Sequence, residues 1–469
     1  MGRWFLWAPS RIFAWSLACL AATGCAAQHE FSARADLERR LHRDIDVRTT
    51  TASESVASAR TLAGYLRVAL ERNPGIRAGF ERWQASVHRI ARARRLPEPT
   101  LGFGYFVQSV ETRLGPQRGR ISLQQAFPWP TKLTAGADAA SLQARAMARR
   151  LDAQTLSVAR AVKTAYWNLW ELRTTKAIRR EHLEVIQGLA SAVRARVSTG
   201  AAMLSDLQQV ELLVTRGEDD LQGLEEAERG AVFQLRAAIG TSAMTAAHEL
   251  PTPDAPPDAW FPVESREVLA SWVRAHPMIE SQGVLAEAAV SMGRAEAADR
   301  WPSFTLGADW ILTSETSMAG VEHSGRDAVI ASLGIRVPLW QGSYGESVAA
   351  AEADARAQYA EQQAMIDQAE AELASTLVHL HDAVRRVAFY RGRLVPQAQT
   401  AYESVLGAYV VGRATVAQVL LSERDLLELR TELERARVAH ARWSARLEEL
   451  VGRELVFAAI DAETVREDE

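Results

Sequence analysis

The sequence predicts a mostly α-helical chain with a β-barrel part, built on a module of helix, strand, strand, very long helix and helix that occurs twice. Three observations predict it: an ordered series of internal matches, long stretches of helix-forming residues nearly free of proline, and four short segments of alternating polarity. Internal repeats are sought first because they decide the architecture. Asn73-Pro74 matches His276-Pro277, and Pro97-x-x-Thr100-Leu101-Gly102 matches Pro302-x-x-Thr305-Leu306-Gly307. Ser122-Leu123 with Phe127-Pro128 matches Ser332-Leu333 with Val337-Pro338, Gly200 pairs with Gly412, and Ile239-Gly240 pairs with Val451-Gly452. The separation grows only where loops are expected. Between the copies, His248 to Pro262 holds five of the 16 prolines, which is linker composition.

The first copy predicts a helix near 61–95, strands near 99–108 and 119–127, and helices near 132–198 and 204–239. The second predicts the same order near 265–299, 303–313, 328–337, 344–411 and 416–452. No proline falls between Thr131 and Leu250, and Pro396 alone interrupts the long helical segments of the second copy. Ala, Leu, Glu, Arg and Gln dominate, as helix propensity requires. At 1.5 Å per residue a helix of about 65 residues is roughly 100 Å long, more than a globular core needs or a bilayer accommodates. Charges run throughout these helices, so they are not membrane spans. Leu420, Leu421, Leu426, Leu427, Leu433 and Val438 recur at three and four, which suits coiled-coil packing.

The strands discriminate between readings. Successive strand side chains point to opposite faces, so a strand between lipid and water must alternate. Leu101, Phe103, Tyr105 and Val107 alternate with Thr100, Gly102, Gly104 and Gln108, Phe106 being the exception. Phe304, Leu306, Ala308, Trp310 and Leu312 alternate with Ser303, Thr305, Gly307, Asp309 and Thr313. Ile121 and Leu123 stand against Arg120, Ser122 and Gln124; Ala331, Leu333, Ile335 and Val337 stand against Ser332, Gly334 and Arg336. Arg120, Asp309 and Arg336 are then expected to face a watery lumen. Four strands cannot close a barrel, and an open edge is forbidden in hydrocarbon, so several chains must contribute; three would supply about 12 strands. Alternation alone leaves open a periplasmic coiled-coil scaffold or adaptor whose hairpins pack on its own helices.

The chain of 469 residues has a formal net charge of -4 and is 48% hydrophobic, which excludes wholesale disorder and gives no global reason to expect nucleic acid. Both cysteines, Cys19 and Cys25, fall in the first 25 residues. Arg3 and Arg11, the apolar run Ile12 to Ala22, and the small residues before Cys25 read as a signal peptide with a lipobox-like end, so Cys25 is a candidate for lipidation; an ordinary cleaved signal is the alternative. The expected organisation is a signal at 1–25, an N-terminal extension at 26–60, a first repeat at 61–247, a Pro-rich linker at 248–264, a second repeat at 265–453 and a C-terminal tail at 454–469. No phosphate loop, nucleophile elbow or zinc-binding His-Glu-x-x-His is present, so no enzyme, cofactor or metal site is expected. His379 and His381, two apart on a helix, point away from each other and are given no ligand role.

Across roughly residues 60 to 453 the chain resembles the TolC-like outer-membrane factor family, also called outer membrane efflux proteins. The resemblance rests on the repeat, on Phe127-Pro128-Trp129-Pro130-Thr131-Lys132-Leu133 with its counterpart Val337-Pro338-Leu339-Trp340-Gln341-Gly342, and on the turns Ser198-Thr199-Gly200 and Val410-Val411-Gly412. It implies a homotrimer with a 12-stranded barrel in the outer membrane of a Gram-negative bacterium, continuous with a helical tunnel across the periplasm. It further implies docking to a periplasmic adaptor and an inner-membrane transporter, as the exit duct of a tripartite efflux pump or a type I secretion system; the lipobox-like end before Cys25 separately suggests a lipid-anchored chain. The Phe-Pro-Trp-Pro-x-Lys-Leu run resembles members associated with heavy-metal resistance. Pro128, Pro130, Pro338 and Gly342 are expected at the swerve from strand to helix, since proline stops a strand and suits a helix start. The resemblance assigns Gly200, Asp206, Tyr409, Gly412 and Gln418 to the periplasmic tip, as adaptor contacts or gate. Gln418 and Leu421 stand where family members often carry acidic residues, which leaves Asp206 as the candidate for a cation-attracting ring; the alternative is that Ser205-Asp206 starts a helix, with Gln208 completing a capping box.

Overall fold

The computed structural model describes residues 32–39, 61–241, 250, 253–318 and 320–458, so Cys25, the signal-like segment, most of the extension and the tail beyond 458 lie outside the described residues. The chain falls into two compact units that do not follow its halves. Unit 1 holds Glu81–Arg149 and Ser281–Gln363 with the helix at 32–39; unit 2 holds Thr49–Phe80, Arg150–Glu280 and Ala364–Glu469.

The first expected helix is two. α1 (Leu62–Arg72) and α2 (Pro74–Ala93) are separated at Asn73. Asn73 Oδ1 accepts the backbone N–H groups of Gly75 (2.8 Å) and Ile76 (3.3 Å), and Pro74 fills the first helical position, where its missing donor costs nothing. The second copy repeats the device with another residue. α5 (Arg266–Arg274) and α6 (Pro277–Ala297) flank His276, whose Nδ1 accepts the N–H of Met278 at 3.2 Å. Acceptance requires an unprotonated Nδ1, and burial holds the pKa of His276 below its ordinary value.

β1 (Thr100–Thr112) and β2 (Gly115–Phe127) are longer than expected and meet at a tight hairpin. Gly115 has φ +130, and a Cβ there would lie 1.8 Å from the Ser314 carbonyl oxygen, so only glycine fits. The pairing register shifts between Tyr105 and Val110, a bulge that explains why alternation fails at Phe106. α3 (Pro130–Ser198) and α4 (Leu204–Ile239) follow. Then come the short β3 (Phe261–Pro262), α5, α6, a 3₁₀ turn at Ala298–Arg300, β4 (Ser303–Thr313) and β5 (Ala328–Arg336). The second long helix is not uniform. α7 (Gln341–Phe389) passes through a π turn at Tyr390–Leu394 into α8 (Val395–Val410), followed by α9 (Val416–Val451) and the short β6 (Phe457–Ala458). The wide turn sits just before Pro396, whose ring would meet the carbonyl of residue 392 in a regular α-helix.

In unit 1 the strands form one sheet in the order β1-β2-β4-β5, antiparallel throughout, and Leu142 and Ala146 of α3 pack on Val284 and Ala288 of α6. In unit 2, Tyr65, Tyr166, Trp167, Leu235 and Ile239 centre one core, and Leu269, Val273, Leu380 and Leu447 another. The described part of the proline-rich stretch is pinned in this unit. Asp254 N–H donates to Tyr166 Oη (2.7 Å), Arg437 donates to the Pro256 carbonyl (3.2 Å), His440 Nε2 donates to the Trp260 carbonyl (2.8 Å), and β3 pairs with β6. The described part of the stretch with linker composition is therefore packed as a strap by backbone hydrogen bonds.

Candidate functional site

The sheet register sorts every strand residue by face. Leu101 and Phe103 of β1 pair with Leu123 and Ile121 of β2; Ile121, Leu123 and Phe127 pair with Trp310, Ala308 and Phe304 of β4; and Phe304, Leu306 and Trp310 pair with Ile335, Leu333 and Val329 of β5. One face is therefore apolar but for Gln125, which pairs with Leu306, and it is open: Phe103 is 76% exposed, Val329 75% and Leu333 64%. A water-soluble chain rarely leaves so contiguous an apolar surface uncovered.

The opposite face carries Ser122, Gln124, Thr305, Gly307, Ser332 and Gly334, with Arg120, Asp309 and Arg336 among them and Ile311 and Ile330 as apolar exceptions. Arg120 donates from Nε (3.0 Å) and Nη2 (2.8 Å) to Asp309 Oδ1, covering a carboxylate that is itself buried. Arg336, the last residue of β5 and opposite Ser303, is exposed and has no carboxylate partner among the described residues. This face is narrow in side-chain volume: a Cβ on Gly102 would sit 2.5 Å from Ser122 Oγ, and one on Gly307 2.4 Å from Ser332 Oγ. Small residues on one face and large ones on the other suit a sheet curved toward the small side.

At the strand ends the expected swerve residues divide. Pro128 follows the last residue of β2, Pro130 opens α3, and Pro338 lies between β5 and α7, where its carbonyl accepts Gln341 Nε2 at 2.8 Å. Gly342 is already inside the first turn of α7, so the swerve there runs through Pro338, Leu339 and Trp340 instead. Two features of this region were not legible in spacing: Trp129 stacks on Trp301 with centroids 5.3 Å apart, and Lys132 Nζ binds both oxygens of Asp299 at 2.6 and 2.7 Å. Only the folded chain joins residues so distant in sequence.

In unit 2, Gly200 (φ +71) and Gly412 (φ +74) end α3 and α8 in the left-handed conformation. Gly200 N–H donates to the Val197 carbonyl and Ala201 N–H to that of Arg196; Gly412 and Arg413 donate likewise to Tyr409 and Ala408. Both ends are therefore Schellman motifs. α4 and α9 start from matching caps. Thr415 and Gln418 form a reciprocal capping box, Thr415 N–H to Gln418 Oε1 (2.9 Å) and Gln418 N–H to Thr415 Oγ1 (3.3 Å). Asp206 Oδ2 accepts Met203 N–H at 3.3 Å, so the cap involves Met203 and Asp206 rather than Ser205 and Gln208. Tyr409 is only 7% exposed, packed with Val193, Leu207 and Val416 beneath the Arg196 guanidinium; burial makes it a packing residue of the turn in this chain rather than a surface one. Further along these helices His182 contacts the buried Glu423, and Arg430 binds Glu181 through both nitrogens, holding the Glu181 carboxyl below its usual range.

No group of three or more metal-binding side chains occurs among the described residues, and no described helix is long and apolar enough to cross a membrane. His379 stacks on Trp443 while His381 meets Phe261 edge-on.

Residues 65–241 match the family model described as outer membrane efflux protein. Protein CyaE of Bordetella pertussis is 27% identical over 316 residues, which cover 64% of each protein, so the match spans just under two thirds of that relative's length. Among solved structures, the outer membrane protein VceC of Vibrio cholerae has a TM-score of 0.69 at 20% identity, over 84% of this chain and 96% of that one. The open-state MtrE outer membrane channel of Neisseria gonorrhoeae has a TM-score of 0.68 at 18% identity, over 86% and 94%. Over residues 65–241 the chain thus resembles outer membrane efflux proteins, and over most of its length it shares the fold of these solved structures.

Proposed function

We propose that the protein is the passive exit duct of a tripartite efflux system, conducting cargo delivered by an adaptor and an inner-membrane transporter across the periplasm and outer membrane. The observation that carries this reading is the open apolar sheet face backed by a polar one, with β1 and β5 each hydrogen-bonded on one side only. Such edges cannot remain unpaired in hydrocarbon, and three copies would close them into about 12 strands. Trp129, Trp301 and Trp340 at the strand ends would then form an interfacial belt. Arg120, Asp309 and Arg336 would face the lumen. The turns at Gly200 and Gly412 would make the periplasmic tip, with Asp206 and Gln418 as helix caps there. Cys25 would carry the lipid anchor.

Reconstitution of the full chain in a planar bilayer tests the reading: discrete conductance steps are expected, and a water-soluble monomer without conductance would reject it. For the tip, disulfide pairing of cysteines engineered near Gly200 and Gly412 should block transport; unimpaired transport would remove the gate from these turns. Heavy-metal cations are the narrower cargo reading, supported by the Phe127 to Leu133 run alone, and a deletion strain compared for sensitivity to zinc, copper, dyes and antibiotics tests it.

A further inference from the structure

Where the register is regular, three charged residues lie on the polar face of the paired strands, and they do not cancel; Arg118 and Glu111 fall at and beyond the register shifts, toward the hairpin turn. Arg120 and Asp309 neutralise each other through two hydrogen bonds to one carboxylate oxygen. Arg336 remains, exposed at the final position of β5, opposite the first residue of β4 and five residues before α7 begins. Glu98 is the carboxylate just before β1, at the end of that strand where it would close the open β5 edge beside Arg336; it is already paired with Arg95 in its own chain at 3.3 Å. At the helix caps the charges are mixed: Gln418 is neutral, Asp206 keeps its negative charge while accepting a backbone N–H, and the exposed Arg413 that follows Gly412 brings a positive one.

We infer that Arg336 is a selectivity residue, forming a ring of positive charge at the helical mouth of the barrel that makes the duct prefer anions to cations. The inference rests on the barrel reading above. A ring of arginines at a constriction raises the local concentration of anions and repels cations, because the low-dielectric wall focuses the field. On this basis the ring opposes the narrower heavy-metal reading above: anionic or neutral solutes fit the passage better than free metal cations.

The test is the reversal potential of single channels of the full chain under a potassium chloride gradient. The wild type is expected to favour chloride, Arg336→Lys to keep that preference, and Arg336→Gln to lower the chloride-to-potassium permeability ratio by about two- to threefold at ~0.1 M salt. In assembled Arg336→Cys channels an anionic thiosulfonate should shift the ratio toward potassium, and a cationic one should restore the chloride preference, with wild-type channels unaffected by either. A cation-preferring wild type, or a ratio unchanged by both the Gln substitution and the thiol reagents, overturns the inference while leaving the duct intact. Absence of any wild-type conductance overturns the duct reading and this inference together.

Discussion

At the residue scale, His276 and Asn73 show one backbone requirement met by two chemistries. Each caps a helix that begins with proline, Asn73 with an amide oxygen and His276 with a ring nitrogen. Only the histidine titrates. Its folded pKa is held down, chiefly by burial, so the folded state binds fewer protons than the unfolded chain; its contribution to stability is complete above about pH 6.5 and falls as pH drops toward the folded value. His276→Asn should match the wild type in thermal stability at neutral pH and lose part of the destabilisation between about pH 7 and pH 5.5. Denaturation curves at several pH values read this out. A steeper acid dependence in the variant would show that the cap is not the titrating element. A second contribution lies at Glu228, where burial opposes ionisation but hydrogen bonds from Lys176 (2.5 Å) and Arg173 (2.7 Å) prevail and lower the carboxyl pKa. Its contribution is complete above about pH 4 and is lost as pH falls below that, so Glu228→Gln should weaken the fold most at pH 7 and progressively less as the medium is acidified below about pH 4.

At the element scale, the strand faces predict opposite outcomes for neighbouring substitutions. Leu306→Arg places a charge on the apolar face, at a cost of about 2 to 4 kcal/mol if it lies near the bilayer midplane, whereas Thr305→Arg points the same group to the polar face. The first should deplete protein from the detergent-extracted outer membrane and the second should not; equal recovery would refute the assignment of faces. Period-two alternation made β4 legible to the residue, and helix propensity with glycine and proline punctuation did nearly as well for α4 and α9. Other elements were less legible for identifiable reasons. The bulge after Tyr105 breaks the period and hides the outer half of the first hairpin. The split of each leading helix depends on a single side-chain cap, and the π turn depends on how one proline is accommodated; neither leaves a periodic trace.

For the whole molecule, the candidate site was legible where it depended on faces and illegible where it depended on contacts. The polar-face positions of Arg120, Asp309 and Arg336 follow from counting residues along strands, but the pairing of Arg120 with Asp309 needed the register between β2 and β4. Tyr409 reads as a tip residue from its place beside Gly412, yet the packing of four helix segments buries it. The sheet, with one apolar face and two unpaired edges, predicts that the chain extracted in mild detergent has three times the monomer mass by light scattering; a monodisperse single chain would contradict closure. Those edges also have a genetic consequence. If every copy must complete its neighbours, one defective strand compromises sound chains too, and the share of sound rings falls as the cube of the share of sound chains. A plasmid-borne allele able to assemble but not to seal should therefore be dominant over a resident wild-type copy, whereas an allele that never folds should be silent.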